Sequence, residues 1–402
     1  MGRDLSGDRR YVFFVGLIAL VSILLLAGCG GGSSSTSTGG STGTEESSEA
    51  PPAAEEGKGE ATSSEVVAAA TKISDPFFEP PKSIGITEPL KEKAPAGKKV
   101  VVMACQLTVC EELAEWAVEA VEKLGWSAKV SLFSGAPEDN LNKISAAVSE
   151  HPDAIILDGV ARETYEAAAE QAAKEGVPIV TTQAELEAEL EPPYAANLLQ
   201  GKQFDVMAEA TANWFIADSE GKGNALAVAY AQFPLSERIT STTAETIEKD
   251  CPECSVKKIL AQSEDTGTKL PGTIVSELQA NPDIDYVILQ DMAMFAGIEP
   301  AIREAGLEGK VKIMGNNTTP ESIKAVEEGF LLGNMAFSQK AVAYQAVDAT
   351  VRAVEGMSTK ETEEAPLMNQ IFTEENIPST AEGVNELPTN LVEQYEKLWL
   401  LK

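Results

Sequence analysis

Short, fully apolar runs, each bounded by turn residues and followed by a segment of helical periodicity, recur along this chain and leave few folds open to it. The densest example is NPDIDYVILQDMAMFAGIEPAIREAGLEGKVKIMGNNTTPESIKAVEEGFLLGNMA, residues 281–336. An Asn-Pro turn leads into the run Tyr286–Leu289, which ends on polar Gln290 and Asp291. Runs with no polar face read as parallel strands buried between helix layers. A second run at 311–314 ends in the loop Gly315-Asn316-Asn317. Thr319 and Pro320 then supply an N-cap and a proline at the first helical position, and Gly329 stops the helix. In an open α/β sheet, ligands bind beyond the carboxyl ends of the strands. Gln290, Asp291, Asn316 and Asn317 stand there and are the first candidate ligand-binding residues.

The same alternation begins at Lys98. An apolar run at 100–104 precedes Leu113, Trp116, Ala117, Ala120, Val121 and Leu124, which recur at helical spacing before Gly125. A strand at 128–133, a helix carrying Leu141, Ile144 and Val148, a strand at 154–157, a helix at 162–174 and a strand at 177–181 follow. Repeats of this kind imply a parallel sheet with right-handed crossovers. The stretch ELEAELEPPYAANLLQ, broken by Pro192-Pro193, reads as a crossing to a second body. That body has helices at 201–217, 236–249 and 273–280, strands at 225–230 and 256–260, and the opening stretch. A helix at 342–354, a segment at 368–372 and a terminal helix at 391–400 complete the chain. The fold class is α/β, with two similar lobes that are each a parallel sheet flanked by helices.

The N-terminus differs in composition. Arg3, Arg9 and Arg10 precede an apolar run at 11–26, the layout of a secretory signal. Leu26-Ala27-Gly28-Cys29 resembles the lipobox of bacterial lipoproteins, which implies cleavage before Cys29 and lipid on its thiol. An uncleaved membrane anchor is the alternative. Residues 30–72, dominated by small and polar residues, read as a disordered tether, and 73–97, with Phe77, Phe78 and several prolines, as an extended arm.

Inventory narrows the chemistry. Lys+Arg 31 against Asp+Glu 63 gives a formal charge of −32, which repels nucleic acid and anionic membrane surfaces. His151 is the single histidine, so a histidine triad or a histidine-rich metal site is excluded. No nucleophile elbow, P-loop, zinc-protease helix or dinucleotide fingerprint occurs, and neither a cofactor nor a metal is expected. With Cys29 lipidated, Cys105, Cys110, Cys251 and Cys254 form two local pairs; three connectivities are open, and two short local disulfides are the favoured one. Cys251-Pro252-Glu253-Cys254 follows a helix instead of opening one, the wrong end for a lowered thiol pKa.

Residues 281–336 also resemble the second lobe of the type 1 periplasmic binding proteins, the ribose- and galactose-binding-protein-like solute receptors of ABC importers. The family pattern shows Asn-Asp where this chain has Gln290-Asp291, and Gly-Phe-Asp where it has Gly315-Asn316-Asn317. The resemblance implies a three-segment hinge around a cleft, with 98–195 and 337–368 in lobe 1 and 196–336 and 369–402 in lobe 2. It also populates the cleft. Gln106 falls in the loop after the first strand, and Asp158 ends the third. Gln183 and Ala184 replace an Asp-Arg pair, Arg238 retains an arginine, and Phe233 and Phe337 are candidates to stack on a ring. The function so implied is that of a monomeric, extracytoplasmic substrate-binding lipoprotein, not an enzyme. It would take a sugar or a less polar, sugar-like solute and hand it to an ABC permease. A sensor presenting its bound form to a signalling receptor and a cell-surface enzyme are the alternatives.

Overall fold

Strands without a polar face must be covered on both sides, and the chain meets this demand twice. The computed structural model describes residues 62–106, 108–134, 136–183, 190–231 and 233–402. Residues 1–61, which hold the expected signal segment 1–29 with Cys29 and most of the expected tether, lie outside the described residues.

The described chain opens with α1 (Ser63–Ser74) and a 3-10 turn at Asp75–Phe78, then runs without regular structure to β1 (Lys99–Cys105). There follow α2 (Thr108–Lys123), β2 (Ser127–Phe133), α3 (Pro137–Ser149), β3 (Ala154–Asp158), α4 (Glu166–Glu175), β4 (Ile179–Thr182) and β5 (Tyr194–Leu198). These strands form one parallel sheet in the order β2-β1-β3-β4-β5. Next come α5 (Gly201–Asp218), β6 (Asn224–Tyr230), α6 (Pro234–Asp250), β7 (Ser255–Ala261), α7 (Leu270–Ala280), β8 (Tyr286–Leu289), α8 (Ile298–Glu304), β9 (Lys312–Asn316), α9 (Pro320–Glu327) and β10 (Gly333–Phe337). The chain ends with α10 (Gln339–Val354), α11 (Lys360–Glu364), β11 (Asn369–Phe372), α12 (Ala381–Asn385) and α13 (Leu391–Leu398). The second sheet has the order β11-β10-β9-β8-β6-β7, parallel except for β11.

One apolar core runs along one face of both sheets, from Val102 and Val180 in the first to Ile288 and Met314 in the second. It includes α2, α5 and α10, whose buried residues are Leu113, Phe204 and Tyr344 among others. The opposite face of each sheet has its own core, under α3 and α4 in the first lobe and under α7 and α8 in the second.

Three boundaries differ from the sequence reading. Residues 63–72 are helical instead of tether, because Thr62 and Glu65 form a reciprocal capping box and Ala70 is buried against the body. The stretch after Pro192-Pro193 forms β5, the fifth strand of the first sheet, so the crossing comes later, at Leu199 and Gln200. The terminal helix α13 belongs with lobe 1: the Tyr344 ring of α10 stacks on Trp399 at 5.8 Å and meets Tyr395 at 5.5 Å. The chain therefore passes between the lobes after β5, after β10, before β11 and again after β11, one passage more than the resemblance implies.

A buried charge fastens these passages. Asp348 and Arg352 are both fully buried, and Asp348 accepts from Arg352 Nε at 2.7 Å, Thr362 Oγ1 at 2.6 Å and Trp399 Nε1 at 2.9 Å. Removing one partner leaves a buried charge uncompensated. Asp348→Ala is expected to lower stability by about 3–5 kcal/mol, measured by urea unfolding. Adding Arg352→Met should recover part of that loss, since no unpaired charge is then left inside.

Candidate functional site

In each sheet the strand order reverses at one place, and there the loops at the carboxyl ends diverge and leave a crevice. In the first sheet this is between β1 and β3, in the second between β6 and β8. The residues just beyond β1 and at the end of β3 are Gln106 and Asp158; those beyond β6 and β8 are Phe233, Gln290 and Asp291. The sequence-derived candidates thus fall on both switch points. The carboxyl ends of the two sheets also adjoin, because Gln183, just past β4, donates its Nε2 to Oε1 of Gln339, two residues past β10, at 3.2 Å.

In lobe 1, Asp158 is 2% exposed and its Oδ1 accepts from Gln183 Nε2 at 3.1 Å. Burial pushes the Asp158 carboxyl up to about 7, and the Gln183 bond offsets only part of that effect. Gln183 itself has φ +54, a left-handed conformation that costs energy for a residue with a Cβ. Gln106 is exposed, with its backbone N–H given to the Phe133 carbonyl at 3.1 Å.

In lobe 2, Ser236 bridges the switch point. Its Oγ accepts from the Tyr230 N–H at 2.8 Å and donates to Gln290 Oε1 at 2.5 Å, so the Gln290 amide oxygen is the end engaged. Asp291 caps the next turn by accepting from the Ala293 N–H at 2.7 Å, and its other oxygen accepts from Asn317 Nδ2 at 2.6 Å. Burial holds the Asp291 carboxyl above its ordinary value against both bonds. Asn317, like Gln183, has a left-handed backbone, φ +63. Phe233 is 42% exposed at the start of α6 and meets the Tyr230 ring edge-on at 5.9 Å. The Tyr230 hydroxyl lies 2.9 Å from Thr266 Oγ1.

Three candidates are placed differently. Asn316 is turned away from Asn317 by strand alternation and accepts from Thr211 Oγ1 of α5 at 3.1 Å, inside the helix layer. Phe337 is buried edge-on against Phe204 at 5.7 Å and is a core residue, not a stacking surface. Arg238 lies over Gly201, and its Nε and Nη2 donate to the Asp205 carboxylate at 2.9 and 2.7 Å. That pairing, through hydrogen bonds first, holds the Asp205 carboxyl below its usual range. Two contributors escaped the sequence reading. Gln339 follows the end of a strand just as Gln290 does, so the same positional rule finds it; Ser236 has no signal beyond its place in the first turn of α6.

The cysteines stay local, Cys105 bonded to Cys110 and Cys251 to Cys254. Among the described residues no three His, Cys, Asp or Glu side chains gather as metal ligands do. One open groove at the amino ends of the second sheet is lined by Asp218, Tyr286 and Lys312, and there Lys312 pairs with Asp218 at 2.7 Å.

Residues 100–358 match the family model described as the periplasmic binding protein domain. The chain belongs to the periplasmic binding protein family. Solved periplasmic binding proteins share its fold. A glucose-galactose binding protein from Geobacillus stearothermophilus is 14% identical, covers 71% of this chain and 100% of its own, and has a TM-score of 0.61. The binding protein of the arabinose ABC transporter from Shewanella sp. ANA-3, bound to α- and β-L-arabinofuranose, gives 15%, 73%, 98% and 0.62. The 5-methylthioribose transporter solute binding protein from Thermotoga lettingae, in complex with 5-methylthioribose, gives 18%, 79%, 100% and 0.63. No curated protein matches by sequence. Members of this family are solute-binding proteins of the extracytoplasmic space.

The raised carboxyl of Asp158 has a consequence for stability. A carboxyl that prefers to be neutral in the folded state adds stability below its unfolded pKa of ~4 and loses it as pH rises through about 7. Asp158→Asn keeps the shape and removes the titration. The variant is expected to be more stable than the parent at pH 8, with the difference shrinking toward pH 4. Urea midpoints of both proteins at the two pH values check this; an equal difference at both would mean that Asp158 titrates normally.

Proposed function

We propose that this protein is the solute receptor of an ABC importer and closes its two lobes on a small hydroxylated solute with an apolar edge. The observation that carries the reading is a carboxyl bonded to a side-chain amide near the strand ends of each sheet, Asp158 with Gln183 and Asp291 with Asn317, where the sheets adjoin through Gln183 and Gln339. Carboxylate and amide oxygens accept from hydroxyl groups, and the Gln290 amide nitrogen donates to a ring or hydroxyl oxygen. Exposed Phe233 offers an apolar face to one side of a ring. Arg238, the cation in the first turns of α6, is already engaged by the Asp205 carboxylate at 2.9 and 2.7 Å, which favours neutral solutes over phosphorylated or acidic ones. Sugars bound by proteins of the same fold, arabinofuranose and 5-methylthioribose among them, are of this class.

Closure draws on contacts that exist only when both lobes touch the solute, since equal affinity for open and closed forms shifts nothing. In this proposal the monomeric receptor is held at the membrane through lipid on Cys29 and reaches its permease on the tether that follows. Gln106 and Asn317 line or support the same crevice, while Arg238 stays paired with Asp205.

Thermal unfolding with L-arabinose, D-galactose, 5-methylthioribose and matched sugar phosphates tests the reading. A solute at a hundred times its dissociation constant adds about 2.7 kcal/mol. A shift is expected with a neutral sugar, and one seen only with phosphorylated or acidic compounds would reject the class. Against the solute so found, Phe233→Ala is expected to weaken binding about tenfold, the equivalent of about 1.4 kcal/mol.

A further inference from the structure

The family match begins at residue 100, yet residues 62–99 are built into both lobes. On lobe 2, α1 lies along α5: Ser63 Oγ donates to Glu253 at 2.6 Å, and Val67 packs within reach of Gly221. At the end of the following turn the Phe78 ring meets Trp214 edge-on at 6.2 Å, and the Phe78 carbonyl accepts from Gln370 Nε2 of β11 at 3.0 Å and Asn376 Nδ2 at 3.2 Å. On lobe 1 the anchors are equally specific. Gln394 of α13 accepts from the Ile84 N–H at 3.1 Å and donates to the Lys82 carbonyl at 3.2 Å. The Glu361 carboxylate accepts from Thr87 N, Thr87 Oγ1 and Glu88 N at 2.8, 2.6 and 2.9 Å. Buried Arg352 donates to the Glu88 carbonyl at 2.5 Å, and the Leu90 N–H to the Leu398 carbonyl at 2.8 Å.

Between the last anchor on lobe 2 and the first on lobe 1 stand only Glu79, Pro80 and Pro81. Glu79 is extended, φ −95 and ψ 144, and proline locks φ, so the link has the polyproline rise of about 3.1 Å per residue. Full extension gives ~3.3–3.6 Å per residue, which leaves about 1 Å of slack over the link. The next residues run beside a hinge passage: a Cβ on Gly85, whose φ is +77, would lie 2.4 Å from Pro366 Cδ.

We propose that residues 62–97 are a strap across the hinge, a further covalent crossing that restricts how far the lobes move apart or rotate. This holds whatever the solute is, because it rests on the anchors and not on the cleft. The strap also explains why a segment without a strand of its own keeps so many directed bonds. It is stiff where it spans and fastened where it lands.

The test cuts the span and leaves the anchors. A protease recognition sequence is inserted between Glu79 and Pro80, and spin labels on non-natural amino acids are placed at the exposed positions Asn142 in lobe 1 and Thr273 in lobe 2. Interlabel distances are measured by pulsed electron resonance in the labelled parent chain, which serves as the state before cutting, and in the labelled variant after cleavage, without solute, with circular dichroism confirming that the body stays folded. Cleavage is expected to broaden the distribution and to move its mean by more than the ~1 Å of slack. The parent chain treated with the same protease should not change. A distribution that is the same before and after cutting overturns the proposal, and this readout is indifferent to whether any sugar binds.

Discussion

The hinge depends on one buried carboxylate. Asp348 sits in the middle of α10 and gathers Arg352, Thr362 and Trp399, and Arg352 in turn holds the Glu88 carbonyl. These partners come from the helix after one lobe passage, the segment before the next, the end of the chain and the arm that precedes β1. A cluster of apolar side chains fills the same volume at less desolvation cost, so the ion pair is a poor device for stability alone. What it supplies is direction: each partner has one place to be, and four separate segments are held in one register against the first sheet.

That directed packing is the part that periodicity could not show. The apolar runs at 100–104, 154–157 and 286–289 are strands because nothing about them suits any other element, and they were legible. β5 was not, because Tyr194-Ala195-Ala196-Asn197 is small and polar and follows two prolines; its strand state comes from the edge of a sheet already formed. α1 reads as tether from composition, and it takes α5 beneath it to bury Ala70. The amphipathic pattern of α13 is plain, but no pattern says which lobe will bury Tyr395 and Trp399. Tyr344 decides that.

The crevice shows the same division. Position relative to strand ends picks out Asp158, Gln290, Asp291 and Asn317, since a buried parallel sheet exposes polar side chains only where its strands stop. The rule is blind to side-chain alternation. Asn316 and Asn317 are adjacent, yet one serves α5 and the other Asp291, because successive residues point to opposite faces until the left-handed turn at Asn317 ends the strand. Arg238 illustrates a different limit: its place in the helix fits the family, but the chain also provides Asp205 one turn into α5, and a bidentate carboxylate is a strong competitor for a guanidinium.

A receptor of this kind must let its lobes move, yet the described segments on either side of the family match add restraint. The C-terminal helix and the arm before β1 bond to each other, through Leu90 and Leu398 and through Gln394, and both are fixed to lobe 1. Only the short Glu79-Pro80-Pro81 span reaches back to lobe 2. Restraint of the solute-free form lowers the entropy lost on closure, and a partly preordered cleft binds with less of its contact energy spent on ordering. The same strap resists full opening, which slows entry and release. A chain whose cleft carries few charged donors gains from the first effect, because each of its neutral hydrogen bonds contributes only about 1 kcal/mol net and little of that can be spared for ordering.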